Sequence, residues 1–251
     1  MQEQLMTQLR KLRLGGMASA LRTQQEQPAN YEDLSFIERL QWLVDYEMQE
    51  RDHRKQNRLI KNAQFKLRAQ PQSIEYPQTR GLVKSQMAHL LLFDWIKKAQ
   101  NLLITGRCGC GKTYIACAIG YQACMKDLSV RYYRLPRLVL TLKQAKADGT
   151  YNQVLKRLSS YDLLMIDDWG IEPLTAAARN DLMEIMDDRY GHTSTLVISQ
   201  LPTDQWYQSI GDNTLADAIL DRLMHNAHRI NLKGESMRKK MNSLTQDEHL
   251  E

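Results

Sequence analysis

All four cysteines of the chain, Cys108, Cys110, Cys117 and Cys124, fall in one short window that also holds Gly106, Gly109, Gly111, Lys112 and Thr113. Two chemistries compete for such a stretch: thiolates closing on zinc, or a glycine-rich loop closing on phosphate. Residues 112–126 (KTYIACAIGYQACMK) read as a helix, which separates Cys117 from Cys124 by ~10 Å along its axis. Two sulfurs that must each lie about 2.3 Å from one ion cannot be so far apart. Cys117 and Cys124 are therefore expected as small apolar residues on a buried helix face. Read by its glycines, Gly106-Arg107-Cys108-Gly109-Cys110-Gly111-Lys112-Thr113 is a complete G-x-x-x-x-G-K-T, with an apolar strand (101–105) before it and the helix after it. Backbone N–H groups of such a loop wrap phosphates at a helix N-terminus. Lys112 would reach the β- and γ-phosphates, and the Thr113 hydroxyl would ligate Mg²⁺. The expected ligands are ATP and Mg²⁺, with Cys108 and Cys110 at the variable positions of the loop.

A phosphate loop of this kind needs a carboxylate for its metal. In YDLLMIDDWG the apolar run 163–166 suits a central parallel strand and ends in Asp167 and Asp168. Asp167 is the expected Mg²⁺ partner and Asp168 the base that orients the attacking water. A helix (174–190) follows, then STLVISQLP, where the strand 195–198 runs into Ser199 and Gln200. A polar side chain at that edge could hydrogen-bond the γ-phosphate or the water, although polar strand ends often only cap loops. Arg222 on an amphipathic helix and Arg238 beyond the short strand 228–232 are further cationic candidates, and surface arginines are commonly just solvated.

Two basic stretches stand apart from this machinery. Arg51, Arg54, Lys55, Arg58 and Lys61 recur at i, i+3, i+4, i+7 and i+10, a stripe along one helix face. Arg131, Arg134, Arg137, Lys143 and Lys146 lie in and after the second strand, interleaved with Tyr132 and Tyr133. Each could be a solvated surface, or could meet nucleic acid or an acidic partner protein; contacts to nucleic-acid phosphates, which the second stretch suits, would be sequence-independent and salt-sensitive.

The elements that must carry these residues divide at RAQPQSIEYPQTR, where Pro71 and Pro77 mark a linker. The expected organisation is a helical N-terminal domain (1–68), a linker (69–80), an ATPase domain (81–243) and a tail (244–251). Within the first, Ser35-x-x-Glu38 is a capping box ahead of a long helical pattern. With 251 residues, 43% hydrophobic and 25% charged, the chain can bury a full core, and its net charge of +5 permits a polyanionic partner without demanding one. Its apolar runs are strand-length, far short of the roughly 20 residues of a membrane helix, so no membrane partner is expected. The opening MQEQLMTQLRK lacks the pattern of a secretory signal, which predicts a cytoplasmic protein.

The order GRCGCGKT, LLMIDDWG, STLVISQLP, DRL and GESMR resembles the AAA+ ATPases of the initiator and helicase-loader clade, which are DnaC-like. Most of all it resembles the IstB family, the transposition helpers of insertion sequences. The resemblance covers nearly the whole chain, since LRLGGMASALRTQ and LSFIERLQWLVDYEMQER also look like that family's opening helices. It implies an α/β fold, a P-loop core with a central parallel five-stranded sheet preceded by a small all-helical domain. It implies further that Ser199 and Gln200 occupy the sensor-1 position, that Arg222 resembles the arginine finger offered to a neighbouring subunit, and that Arg238 resembles the G-x-S-x-R arginine near a phosphate. An extra helical element after the second strand, which lines a DNA channel in that clade, would fall at residues 135–158. Two departures stand out: Arg107-Cys108 replaces a common Pro-Pro, and the second acid is Asp168 where most AAA+ proteins, though not this family, have Glu. The shorter acid predicts slow basal hydrolysis. The implied function is a helper that assembles as a ring or helix of copies on duplex DNA with ATP, remodels the target, recruits or activates a cognate transposase, and disassembles on hydrolysis. A DnaC-like replicative helicase loader, a small-molecule kinase, and a DNA-bending protein with a vestigial nucleotide site remain as alternatives.

Overall fold

The computed structural model describes residues 2–234 of the chain. Arg238 and the expected tail 244–251 lie outside the described residues. The chain divides after Arg58 into two compact units.

The N-terminal unit is built from α1 (Gln2–Lys11), α2 (Gly15–Glu26) and the first part of α3 (Phe36–Ala63). The capping box is formed as the sequence predicts: the Ser35 N–H donates to Glu38 Oε2 (2.7 Å), and the Glu38 N–H donates to Ser35 Oγ (3.3 Å). At the centre of this unit Glu47, 4% exposed, accepts from the N–H groups of Gly16 (2.6 Å) and Met17 (3.1 Å) and from Arg51 Nε (2.7 Å). The first turn of α2 has unpaired N–H groups and a partial positive charge, and Glu47 serves both. Gly16 is required by this approach, since a Cβ there would lie 2.9 Å from the Glu47 Cα.

The second unit begins at Leu59, ten residues before the expected linker. The end of α3 belongs to it because Leu59, Ile60, Ala63 and Phe65 pack on its core. Nor are residues 69–80 a free linker. Ala69 and Ile74 are buried in that core, and Arg80 is held by hydrogen bonds. The two prolines that predict a linker start a short 3₁₀ turn, Pro71–Ser73, and immediately precede a second, Gln78–Arg80, in a strap laid over the domain.

Beyond the strap come α4 (Lys84–Leu90), α5 (Asp94–Lys97), β1 (Asn101–Gly106), α6 (Lys112–Met125), β2 (Val130–Arg134), α7 (Leu135–Ala147) and α8 (Tyr151–Ser159). Then follow β3 (Leu163–Trp169), α9 (Ala176–Arg189), β4 (Ser194–Ser199), α10 (Trp206–Ile210), α11 (Asn213–Met224) and β5 (Ala227–Leu232). The five strands form one parallel sheet in the order β2-β3-β4-β1-β5. The apolar runs of the three central strands β1, β3 and β4 are continuous because both faces are covered: Leu102, Ile104, Met165, Leu196 and Ile198 face the core shared with α6 and the strap, while Leu103, Leu164, Ile166 and Val197 face α7 to α11. The expected helical element 135–158 is two helices, broken at Gly149, whose φ of +70° ends α7. Thr175 caps α9 through Oγ1, which trims the expected 174–190 helix to Ala176–Arg189.

Candidate nucleotide site

The candidate site forms where β1, β3 and β4 end side by side, the edge at which open parallel sheets bind ligands. Gly106 closes β1 with φ +147° against Leu232, whose carbonyl oxygen any Cβ would strike. Gly109 and Gly111 turn the loop with φ +81° and +87°, left-handed values that glycine adopts without cost. The loop thus curls back and delivers Lys112 and Thr113 to the first turn of α6. Lys112 is 7% exposed, and its Nζ donates to the carbonyls of Gly106 (2.6 Å) and Arg107 (2.8 Å). Cys108 is exposed on the loop and Cys110 is buried beneath it. Cys117 and Cys124 are buried in the apolar core, where burial pushes their thiols up to about 11 and about 12.

Across from the loop, Asp167 is 3% exposed and accepts at Oδ2 from Thr113 Oγ1 (2.9 Å) and Tyr132 Oη (2.7 Å). Its Oδ1 accepts the Asp168 N–H at 2.8 Å. Burial, then the neighbouring Asp167, hold the Tyr132 hydroxyl protonated far above its usual range. All three donors to Asp167 are neutral, and no lysine or arginine forms an ion pair with it among the described residues. A buried carboxylate without a cation, beside a threonine hydroxyl, fits the Mg²⁺ ion that completes its shell with phosphate oxygens and water. No group of three His, Cys, Asp or Glu among the described residues could hold a metal by protein ligands alone, so the fit is to a metal that arrives with phosphate.

Asp168 sits at an irregularity where β3 breaks register with β4, with φ +63°, an unusual backbone for a non-glycine residue. That twist turns its carboxylate out of the sheet, where it forms an ion pair with Arg134 at the end of β2. The pair raises the Arg134 guanidinium further above its already high range.

These groups line a cavity of about 500 Å³, whose walls include Lys112, Thr113, Asp167, Asp168 and Gln200 on the loop side and Lys66, Leu67, Ile74 and Glu75 on the strap side. The size and mixed lining suit a nucleotide. Ser199 and Gln200 part company here. The Ser199 hydroxyl, 1% exposed, donates to the Trp169 carbonyl (2.7 Å) and accepts from the Leu201 N–H (3.0 Å), so both its capacities serve the loop. It lies on the same strand face as Val197, turned into the core, and of the two Gln200 is the residue that lines the cavity.

Arg222 is not brought to the cavity. Its Nε and Nη2 donate to Asp187 Oδ1 (2.9 and 2.7 Å), and its carbonyl accepts from Asn101 at the start of β1. That places it a strand length, about 16 Å at 3.3 Å per residue, from the loop at the other end of β1. Any role at a phosphate would have to be at another subunit's. Several expected DNA contacts also have partners of their own. Arg131 donates to the Asn62 carbonyl (2.7 Å) and lies 4.8 Å over the Tyr133 ring. Lys146 is ion-paired with Asp181 over the ring of Tyr151, while Arg51 and Arg54 flank Glu47. Arg58, Lys61, Arg137 and Lys143 are exposed. No helix of the described residues is long and apolar enough to cross a membrane.

Comparison with known proteins agrees with this geometry. The family model described as IstB-like ATP binding protein matches residues 7–245. An insertion-sequence ATP-binding protein of Sinorhizobium fredii is 44% identical over 92% of this chain and 94% of its own length. One from Pseudomonas fluorescens is 44% identical over 81% of this chain and 88% of its own. Among solved structures, DnaI superposes with a TM-score of 0.58 at 20% identity over 70% of this chain and 94% of that one, and AMPPCP-bound DnaA from Aquifex aeolicus with 0.59 at 15% over 74% and 57%. These last two bear on the fold alone, that of the DnaC- and DnaA-like AAA+ proteins. With the loop, the paired acids and the five-stranded parallel sheet, the family match establishes that this chain belongs to the IstB-like ATP-binding proteins.

Proposed function

We propose that the protein is an Mg²⁺-dependent ATPase that assembles on duplex DNA as a transposition helper, remodels the target and recruits or activates a cognate transposase, with hydrolysis releasing the assembly. The observation that carries the reading is the convergence of Lys112, Thr113, Asp167, Asp168 and Gln200 on one cavity. Lys112 exchanges the two loop carbonyls for phosphate oxygens, replacing neutral acceptors by charged ones. Thr113 and Asp167 would hold Mg²⁺, which when bound neutralises charge on the β- and γ-phosphates. Asp168 orients the attacking water and accepts its hydrogen bond as the water oxygen bonds to the γ-phosphorus and the bond to the bridging oxygen breaks, ADP leaving with that electron pair and the water's protons passing to the released phosphate and solvent. Gln200 hydrogen-bonds the γ-phosphate or that water. Arg222, about a strand length from its own cavity, serves a neighbour's as a trans-acting finger, with Arg238 the other cationic candidate.

Arg134 ties this chemistry to DNA. While its guanidinium holds Asp168, the acid is engaged and turnover is slow. A DNA phosphate competing for Arg134 frees the acid, and the exposed Arg137 and Lys143 on α7 extend the same basic surface. The test is steady-state ATP hydrolysis with and without duplex at two salt concentrations. Stimulation by duplex that fades as salt rises is expected; a rate indifferent to DNA would contradict the coupling.

A further inference from the structure

Arg80 is a buried cation in the wall of the nucleotide cavity, and none of the roles above uses it. It is 6% exposed and lines the cavity together with Lys112 and Thr113. Its Nη1 donates to the carbonyl of Glu75 in the strap (2.9 Å) and its Nη2 to the carbonyl of Cys110 in the phosphate loop (3.3 Å). Its own backbone is pinned by the Lys233 N–H, which donates to the Arg80 carbonyl at 2.8 Å. The Nε is buried without a partner, and no carboxylate pairs with the guanidinium among the described residues. Burying a charge on neutral carbonyls alone is expensive, and a protein bears that cost where an anion is to be met.

The peptide it holds is the informative one. In a trans peptide the carbonyl of one residue and the N–H of the next point in opposite directions. A guanidinium on the Cys110 carbonyl therefore aims the Gly111 N–H to the other face of the turn, the face this motif presents to phosphate. In a low-dielectric wall the positive charge also polarises that peptide and strengthens its N–H as a donor. We propose that Arg80 is a second cation of the nucleotide site, a positioning residue that acts on phosphate through the Cys110–Gly111 peptide. The proposal rests on the nucleotide reading of the cavity.

The experiment is a competition titration of the full-length protein against a fluorescent ADP, with ADP, ATP and adenosine as competitors, for wild type, Arg80→Met and Arg80→Lys. Arg80→Met should weaken ADP and ATP about tenfold, the loss of one charge-assisted hydrogen bond. Adenosine affinity should stay at the wild-type value, and turnover at saturating ATP within about twofold, so that the effect falls on KM. Arg80→Lys keeps the charge, loses the two-pronged geometry, and should fall between the two; it carries the test if the methionine variant does not fold. Equal ADP and ATP affinities in wild type and Arg80→Met would overturn the role. An equal loss for adenosine would overturn it too, assigning Arg80 to the base wall through Glu75. A wild type that binds neither ADP nor ATP would overturn the nucleotide reading and this proposal with it.

Discussion

Among the described residues each unit of the chain buries a carboxylate that accepts backbone N–H, from two residues at Glu47 in the first and from one at Asp167 in the second, and the two keep different company. Glu47 has Arg51 at 2.7 Å and Arg54 at 3.6 Å, so its charge is matched within the fold. Asp167 accepts from two hydroxyls and one N–H, and among the described residues no cation forms an ion pair with it. An acid with a resident cation anchors a structure. An acid wrapped in neutral donors is held ready for a cation brought from outside, at a cost to the fold that function has to justify.

The sharpest break between the two comes from neutralising each in turn. Asp167→Asn should cut ATP turnover by about 10²-fold or more, while its thermal midpoint stays within about 2–4 °C of wild type; hydrolysis rates and calorimetry on one preparation check both. Glu47→Gln should do the reverse, costing the N-terminal unit about 2–3 kcal/mol in denaturant unfolding and leaving ATP affinity unchanged. Glycine substitutions next to that anchor sharpen the point. Gly16→Ala drives a Cβ to within 2.9 Å of the Glu47 Cα and should cost about 1–3 kcal/mol. Gly15→Ala, with nothing within 4 Å, should gain about 0.5–1 kcal/mol. Equal effects of the two alanines would refute the packing described around Glu47.

A pH titration separates the acids again. Burial works to raise the Glu47 carboxyl, but hydrogen bonds from Arg51, Met17 and Gly16 prevail and leave it below its usual 4.5. A depressed carboxylate contributes stability that is present above the unfolded value and lost as pH falls through the folded one. The N-terminal unit should therefore begin to loosen below pH 4.5, seen as lost helical signal, and Glu47→Gln should flatten that dependence. Among the catalytic groups the smallest effect is expected at Arg134. Arg134→Ala should raise basal hydrolysis roughly fivefold, the rate equivalent of an exposed ion pair worth about 1 kcal/mol, and should blunt stimulation by duplex DNA.

The phosphate loop and the paired acids were legible because their information is local: glycine spacing, a strand before, a helix after. Three of the five strands were legible for the same reason, as apolar runs too short to be helices, whereas VRYYR and AHRINL carry arginine, histidine and asparagine and declare themselves mainly by pairing at the sheet edges. What stayed hidden depends on approach between distant segments. Nothing in PQTRG distinguishes Arg80 from a solvated loop arginine, and only the folded strap brings it to the Cys110 carbonyl. Arg134 reads as a DNA contact alone, and its second partner, Asp168, shows only once β2 and β3 pair. The sequence sets Ser199 beside Gln200, and only strand parity and the approach of β3 show that its hydroxyl meets the Trp169 carbonyl. The prolines at 71 and 77 mark chain punctuation correctly, yet whether a punctuated segment hangs free or is packed depends on its apolar residues, here Ala69 and Ile74.

The measurement that bears most directly on the account is the mass of the complex formed on a short DNA duplex, by sedimentation, with ATP, with ADP, and with Lys112→Ala in ATP. A large multi-subunit particle is expected with wild type in ATP alone, absent with ADP and with the variant. A monomer that ignores duplex in both nucleotides would contradict it and direct attention to single strands and a helicase partner.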